Sequence, residues 1–326
     1  MSEQRVENTD YVTFGDNRLA ADLSGEHDAH LIILEEALGV RIAPRGNRFA
    51  VSGPTHSRAR AIEVLNGLYK QLERGGPLGP ADVRGAARFA HAEDAAPDPT
   101  GQAFRTPKRL ISARTPNQRL YMEAFGRADL VFGVGPAGTG KTYLAVAHAV
   151  GMLLSGAVER IILSRPALEA GERIGFLPGD VKEKVDPYLR PLYDALHDML
   201  HADYIARRIA AGDIEIAPIA FMRGRTFTRA AVILDEAQNA TVAQMKMFLT
   251  RLGEDAHMVV TGDPSQSDLP AGEISGLADA VGLLDKVEGV IIARFTAADV
   301  VRHPLVSRII GAYETREKKG AAPKKK

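Results

Sequence analysis

The sequence predicts an α/β protein: a parallel sheet with helices on both faces, preceded by a small α+β domain. Three observations predict it. Six short apolar runs, Leu130–Val134, Arg160–Leu163, Ile214–Ala217, Ala231–Leu234, Met258–Thr261 and Val290–Ala293, alternate with helical stretches. Continuously apolar strands between helices belong to a sheet buried on both sides. A glycine-rich turn from Gly135 to Thr142 joins the first run to a helical stretch, Tyr143–Leu154. Upstream, from about Thr9 to Gly75, the pattern changes to strand, helix, strand, strand, helix.

That first region is justified element by element. Leu31, Ile32, Leu34 and Leu38 recur at near-helical spacing and stop at Gly39, a helix-ending residue. Val40–Ile42 and Arg48–Val51 alternate as short strands around a Pro44-Arg45-Gly46-Asn47 turn. Ala61, Ile62, Leu65, Leu68, Tyr69 and Leu72 mark a second amphipathic helix. Residues 76–114 lack periodicity and carry Gly75-Gly76-Pro77, Pro80 and Ala95-Ala96-Pro97-Asp98-Pro99, which reads as a linker. Its end holds Arg105, Lys108, Arg109 and Arg114 without an acid, either a solvated segment or a phosphate-binding one. The sheet domain spans 115–313, and a tail, 314–326, ends in three lysines and reads as disordered.

Composition sets the outer limits. The 326 residues are 45% hydrophobic and 25% charged, ordinary for a soluble globular chain. There is no cysteine, which excludes disulfides, thiolate metal sites and a cysteine nucleophile. No apolar run approaches the ~20 residues of a membrane span. The polar, acidic start MSEQRVENTD is unlike a secretory leader. Together these point to the cytoplasm. Basic and acidic residues number 41 each, so nucleic-acid binding would need a local patch. With no tryptophan and 6% aromatics, base stacking would rest on few residues.

The chemistry lies at the C-terminal ends of the strands, where open α/β sheets bind ligands. Gly135-Pro136-Ala137-Gly138-Thr139-Gly140-Lys141-Thr142 matches G-x-x-x-x-G-K-[ST] between a strand and a helix, the context this phosphate-binding loop requires. The glycines let backbone N–H groups face phosphate oxygens, and the helix N-terminus adds positive charge. Lys141 would reach the β and γ phosphates of ATP, and Thr142 would hold Mg²⁺. The run Ala231–Leu234 delivers two carboxylates, Asp235 for the metal and Glu236 as base for the attacking water. Thr261-Gly262-Asp263-Pro264-Ser265-Gln266 ends another strand, with Gln266 placed to sense the γ-phosphate. Gln118, in a helix opened by Thr115-Pro116, could read the adenine edge or lie on the surface. Arg165 in Ser164-Arg165-Pro166 could touch nucleic-acid backbone or form an ion pair at the strand end.

Taken together, these residues resemble the PhoH family of P-loop ATPases. The resemblance also rests on Leu163–Ala167, on Gly175-Phe176-Leu177-Pro178-Gly179, on Asp235–Asn239 and on Val300–Val306. It covers about Thr115 to Tyr313 and implies a RecA-like domain similar to the first such domain of superfamily 1 helicases. The first region is similar to the N-terminal domain of the longer family members, with the element order of a KH domain. Its Gly25-Glu26-His27-Asp28 corner departs from the G-x-x-G that grips RNA backbone in that fold. The resemblance implies ATP and Mg²⁺ as ligands, action on single-stranded RNA, partnership with a YbeY-type endoribonuclease, and a homo-oligomer, a hexamer in the family. Only about 60 residues follow Gln266, too few for a second core that would supply an arginine to the ATP site. A neighbouring subunit would supply it instead; Arg302 is the first candidate, Arg223 or Arg225 the second. Two other functions fit parts of the pattern. One is a nucleotide-dependent scaffold. The other is a small-molecule kinase, for which the chain shows no arginine-rich lid.

Overall fold

A computed structural model describes residues 9–91, 103–166, 181–270 and 272–301, with backbone alone for 89–91 and 181–187. The N-terminal unit runs β1 (Thr9–Thr13), α1 (Asn17–Ser24), α2 (Ala29–Leu38), β2 (Arg41–Arg45), β3 (Arg48–Ser52), α3 (Thr55–Glu73) and α4 (Pro80–His91). Asp16 caps α1 by accepting the Arg18 N–H at 2.6 Å, and Gly39, left-handed at φ 65°, ends α2. The strands form an antiparallel sheet in the order β1-β3-β2. One sheet face carries Val12, Ile42, Phe49 and Val51 into a core with Leu23, Leu31, Leu34, Leu65 and Leu68 from the helices.

Helix α4 corrects the linker expected over 76–114. Val83 and Ala87 lie one turn apart and are buried in the N-terminal core. Pro80 sits at the first helical position, where a missing N–H costs nothing. In the sequence that proline and the preceding glycines read as linker chemistry. A short ribbon, β4 (Phe104–Arg105) with β5 (Leu110–Ile111), occupies the end of the same stretch. Three of the four basic residues there are paired within the chain: Lys108 donates to the His197 carbonyl at 2.7 Å, Arg109 meets Asp198 at 3.6 Å, and Arg114 meets Asp82 at 3.3 Å.

The second unit runs α5 (Pro116–Ala124), β6 (Leu130–Val134), α6 (Lys141–Ser155), β7 (Arg160–Arg165), α7 (Val181–Met199), α8 (Ala202–Ala211), β8 (Ile214–Pro218), β9 (Ala230–Leu234), α9 (Val242–Leu249), β10 (His257–Gly262), α10 (Gly276–Leu284) and β11 (Val290–Arg294). Its six strands are all parallel, in the order β11-β6-β10-β9-β7-β8. Side chains alternate between two cores. Val131, Ile161, Ile233 and Val259 pack beneath α5, α6 and α7, whereas Phe132, Ile162, Val232 and Val260 pack beneath α9 and α10. This double burial is why the strands read as unbroken apolar runs. No helix among the described residues is long and apolar enough to cross a membrane.

Helix α4 also joins the two units. Arg88 donates to the Val300 carbonyl at 3.1 Å, and the next residue, Val301, donates its N–H to Gly138 O at 3.0 Å. The tail 314–326, the Gly175–Gly179 motif and Arg302 lie outside the described residues.

Candidate active site

Three neighbouring strands set the site. Strand β10 lies between β6 and β9, so the loop after β6, the acids after β9 and the Gly-Asp-Pro turn after β10 share one edge of the sheet. After the buried Val134 the chain turns at Gly135, whose φ of 139° suits glycine. A Cβ there would collide with the Phe295 carbonyl. Gly138 and Gly140 are also left-handed, and α6 begins at Lys141, so the first turn of the helix opens into the loop.

The loop is closed on its own lysine. The Lys141 ammonium donates to Gly135 O at 2.6 Å and to Pro136 O at 2.7 Å, and lies 3.3 Å from Thr139 Oγ1. Those carbonyls take the cation's hydrogen bonds where a phosphate oxygen would otherwise receive them. Thr139 in turn donates to Pro136 O at 3.0 Å. Gln118 braces the same loop: its amide donates to Thr139 O at 2.8 Å and accepts from the Arg114 N–H at 2.7 Å. It is 4% exposed, so in this conformation both ends of the amide face protein backbone rather than an open base pocket.

The acidic pair is the centre of the network. Asp235 Oδ1 accepts from Thr142 Oγ1 at 2.6 Å and from Thr261 Oγ1 at 2.7 Å. Asp235 Oδ2 meets Arg165 Nη2 at 3.0 Å, and the same nitrogen reaches Glu236 Oε1 at 2.9 Å. Arg165 Nη1 donates to the Tyr188 carbonyl on α7 at 2.7 Å. Between the two open readings of Arg165, the structure shows the ion pair. Glu236 is left-handed at φ 52°, a conformation that costs a non-glycine residue about 1 kcal/mol or more. Asp235 is buried, whereas Glu236 stays half-exposed.

Gln238 ties the acids to the third strand. Its amide donates to Glu236 Oε2 and accepts the Asp263 N–H at 3.0 Å. Asp263 holds its own turn by accepting from Ser265 N–H at 3.0 Å and Ser265 Oγ at 2.7 Å. Gln266 lies on that turn, exposed, with its N–H on the Asp263 carbonyl at 3.0 Å. Sequence reasoning missed Thr261 and Gln238. Thr261 stood in the quoted motif, and its place one residue from a strand end was the available signal.

The arginine candidates separate. Arg302 lies outside the described residues. Arg225 forms a two-pronged pair with Glu215 at 2.6 and 2.7 Å, which holds the Glu215 carboxyl below its usual range. It is therefore engaged within the chain, whereas Arg223 is exposed. Asp299, three residues before Arg302, accepts from Asn117 at 2.8 Å and from the Thr296 N–H at 2.8 Å. Burial raises its pKa, but these hydrogen bonds outweigh it and leave the carboxyl below its usual range.

A family model described as PhoH-like protein matches residues 110–314. The chain is 49% identical over 306 residues to a PhoH-like protein of Bacillus subtilis (strain 168), covering 90% of this chain and 94% of that one. It is 45% identical over 305 residues to a PhoH-like protein of Synechocystis sp., covering 91% and 92%. Protein PhoH of Escherichia coli K12 is 50% identical over 205 residues, 62% of this chain and 58% of that one. The solved SWI2/SNF2 ATPase core of Sulfolobus solfataricus in complex with double-stranded DNA aligns with a TM-score of 0.33 at 14% identity, over 56% and 44% of the two chains, too loosely to bear on function. With a phosphate-binding loop, an acidic strand end and matches of this extent, the chain belongs to the PhoH family of P-loop proteins.

Proposed function

We propose that this chain hydrolyses ATP to ADP and phosphate and couples that cycle to single-stranded RNA as a homo-oligomer, a hexamer on the family resemblance. The observation that carries the ATPase reading is the convergence of Thr142, Asp235 and Thr261 beside Lys141, with Glu236 next in sequence. Among the described residues no cluster of three His, Asp or Glu side chains could hold a metal unaided. One hydroxyl and one carboxylate suit Mg²⁺, which commonly takes its other ligands from water and substrate phosphates. Bound at Thr142 and Asp235, Mg²⁺ would neutralise charge on the β and γ phosphates.

The chain's own groups account for the rest. Lys141 leaves the Gly135 and Pro136 carbonyls for the phosphates. Glu236 takes the proton of the attacking water, for which its half-exposed side chain has access. Gln266, on the exposed turn after β10, senses the γ-phosphate. Gln118 holds the loop and reads adenine when the loop opens. Arg302 of a neighbouring subunit supplies charge to the transition state. Exposed apolar side chains at Ile274, Leu283 and Val287, around α10, support a surface for a second copy.

A second reading has its own observation. Glu236 is held by Arg165 and Gln238, which suits slow turnover in a nucleotide-dependent scaffold for an endoribonuclease of the YbeY type. Steady-state ATP turnover, with and without single-stranded RNA on size-resolved protein, separates the two. Stimulation by RNA in an oligomeric fraction is expected. Turnover indifferent to RNA favours the scaffold, and a Lys141→Ala protein as active as wild type sinks both.

A further inference from the structure

The face of the N-terminal sheet opposite its helices has a composition that the ATP site does not explain. The strand register places its outward residues in three ranks across β1, β3 and β2. These are Thr9, Ser52 and Arg41; Tyr11, Ala50 and Ala43; and Thr13, Arg48 and Arg45. Three of the nine are arginines and none is an acid. Asp10, the acid of these strands, points to the other side and pairs with Arg58 at 2.8 Å. Tyr11 is 58% exposed, and the Arg48 guanidinium lies over its ring at 4.1 Å.

We propose that this face binds single-stranded RNA, with Tyr11 stacking a base and Arg41, Arg45 and Arg48 taking phosphates. The inference deepens the RNA reading under Proposed function and rests on it. Neutral chains carry few stretches that a polyanion can approach, and this one has no carboxylate among its outward residues. An exposed ring offers a base a flat surface to stack on, whatever the sequence of the strand. Ala50 and Ala43 beside Tyr11 leave a shallow floor roughly 10 Å across, from two strand spacings. The cation over one ring face fixes the tyrosine and leaves a base the rest of the ring. The alternative gripping point, the corner between α1 and α2, carries exposed Glu26 and Asp28 and would repel phosphate. All four side chains are exposed, so replacing them leaves the core intact.

The test is fluorescence anisotropy of a labelled oligouridine 12-mer on the full chain, across a salt series. Wild type, Tyr11→Ala, Tyr11→Phe and the triple Arg41→Ala/Arg45→Ala/Arg48→Ala proteins are compared. Tyr11→Ala should weaken binding about tenfold or more, with Tyr11→Phe near wild type. The triple variant should lower the slope of log affinity against log salt by about 2, from three phosphate contacts. ATP turnover without RNA should stay at the wild-type rate in all of them. If wild type binds RNA and the variants bind equally well, the platform is wrong while the RNA reading stands. If wild type binds no RNA in any nucleotide state, both fall. Tighter binding of duplex RNA, or of single-stranded DNA of the same length, also overturns the proposal.

Discussion

At the scale of single residues, the guanidinium of Arg165 holds two carboxylates that the proposed chemistry needs for other purposes. It contacts Asp235 and Glu236 with one nitrogen and the Tyr188 carbonyl with another. A cation lodged against Asp235 competes with any Mg²⁺ that would sit there. Arg165→Ala should therefore lower the Mg²⁺ concentration that half-saturates ATP turnover, by severalfold. It should also destabilise the nucleotide-free protein by about 3 kcal/mol, because it strands a buried carboxylate. Mg²⁺ with ATP should then raise the melting temperature of the variant more than that of wild type. Arg165→Lys keeps the charge but lacks the planar fork, and should fall between the two. Thermal melts and Mg²⁺ titrations identical to wild type would show that Arg165 does not hold the site. Much of this network was hidden in the sequence. Thr142 and Asp235 are 93 positions apart, and Asp235 and Thr261 are 26 apart. Thr142 and Asp235 were legible as ligands and Thr261 was not, and the contact of all three depends on β10 lying between β6 and β9, which no local pattern encodes.

At the scale of elements, α6 has two faces with different tasks. Its first turn forms the phosphate loop, and two turns later His148 is stacked on Phe125 at 4.5 Å and 8°, with Phe104 and His257 at 5.5 and 6.4 Å. Burial, with a smaller contribution from the neighbouring His257, lowers the His148 pKa to about 4. The folded value lies below the unfolded value of about 6.5, so the unfolded chain binds the extra proton first. The stabilisation is complete above about pH 6.5 and is lost as pH falls toward 4, amounting to about 2 kcal/mol by pH 5. Urea midpoints at pH 7 and pH 5 should show that loss, and His148→Phe should remove most of it. An unchanged pH slope in the variant would place the sensitivity elsewhere. The contrast between α6 and α4 shows what the sequence reveals at this scale. Helix α6 was legible because a glycine loop opens it and an apolar run follows. Helix α4 was not, because its buried face is carried by Val83 and Ala87, too small and too few to announce a period. The strands were legible to within a residue or two, since burial on both faces leaves them almost wholly apolar.

At the scale of the whole molecule, one question is whether a single chain holds a complete ATP site. Val301 donates to the phosphate loop and Val300 accepts from Arg88 of the N-terminal unit, so the segment leading to Arg302 is anchored at this chain's own site. Whether Arg302 then serves that site or the next subunit's has a quantitative signature. In a ring with head-to-tail interfaces, each site takes its lysine from one subunit and its arginine from the neighbour. Lys141→Ala and Arg302→Ala proteins should each be nearly inactive alone. Mixed in equal amounts and allowed to exchange, they regain activity only where an Arg302→Ala subunit, with its lysine intact, meets a Lys141→Ala neighbour, with its arginine intact. Random assembly makes such sites about a quarter of the total, so the mixture should reach about a quarter of wild-type turnover. If Arg302 acts within its own chain, every subunit in the mixture carries one broken site and the activity stays at the level of the separate variants. A mixture that stays inactive after subunit exchange has been demonstrated by mass therefore rejects the shared site, while leaving the chemistry assigned to Lys141, Asp235 and Glu236 untouched.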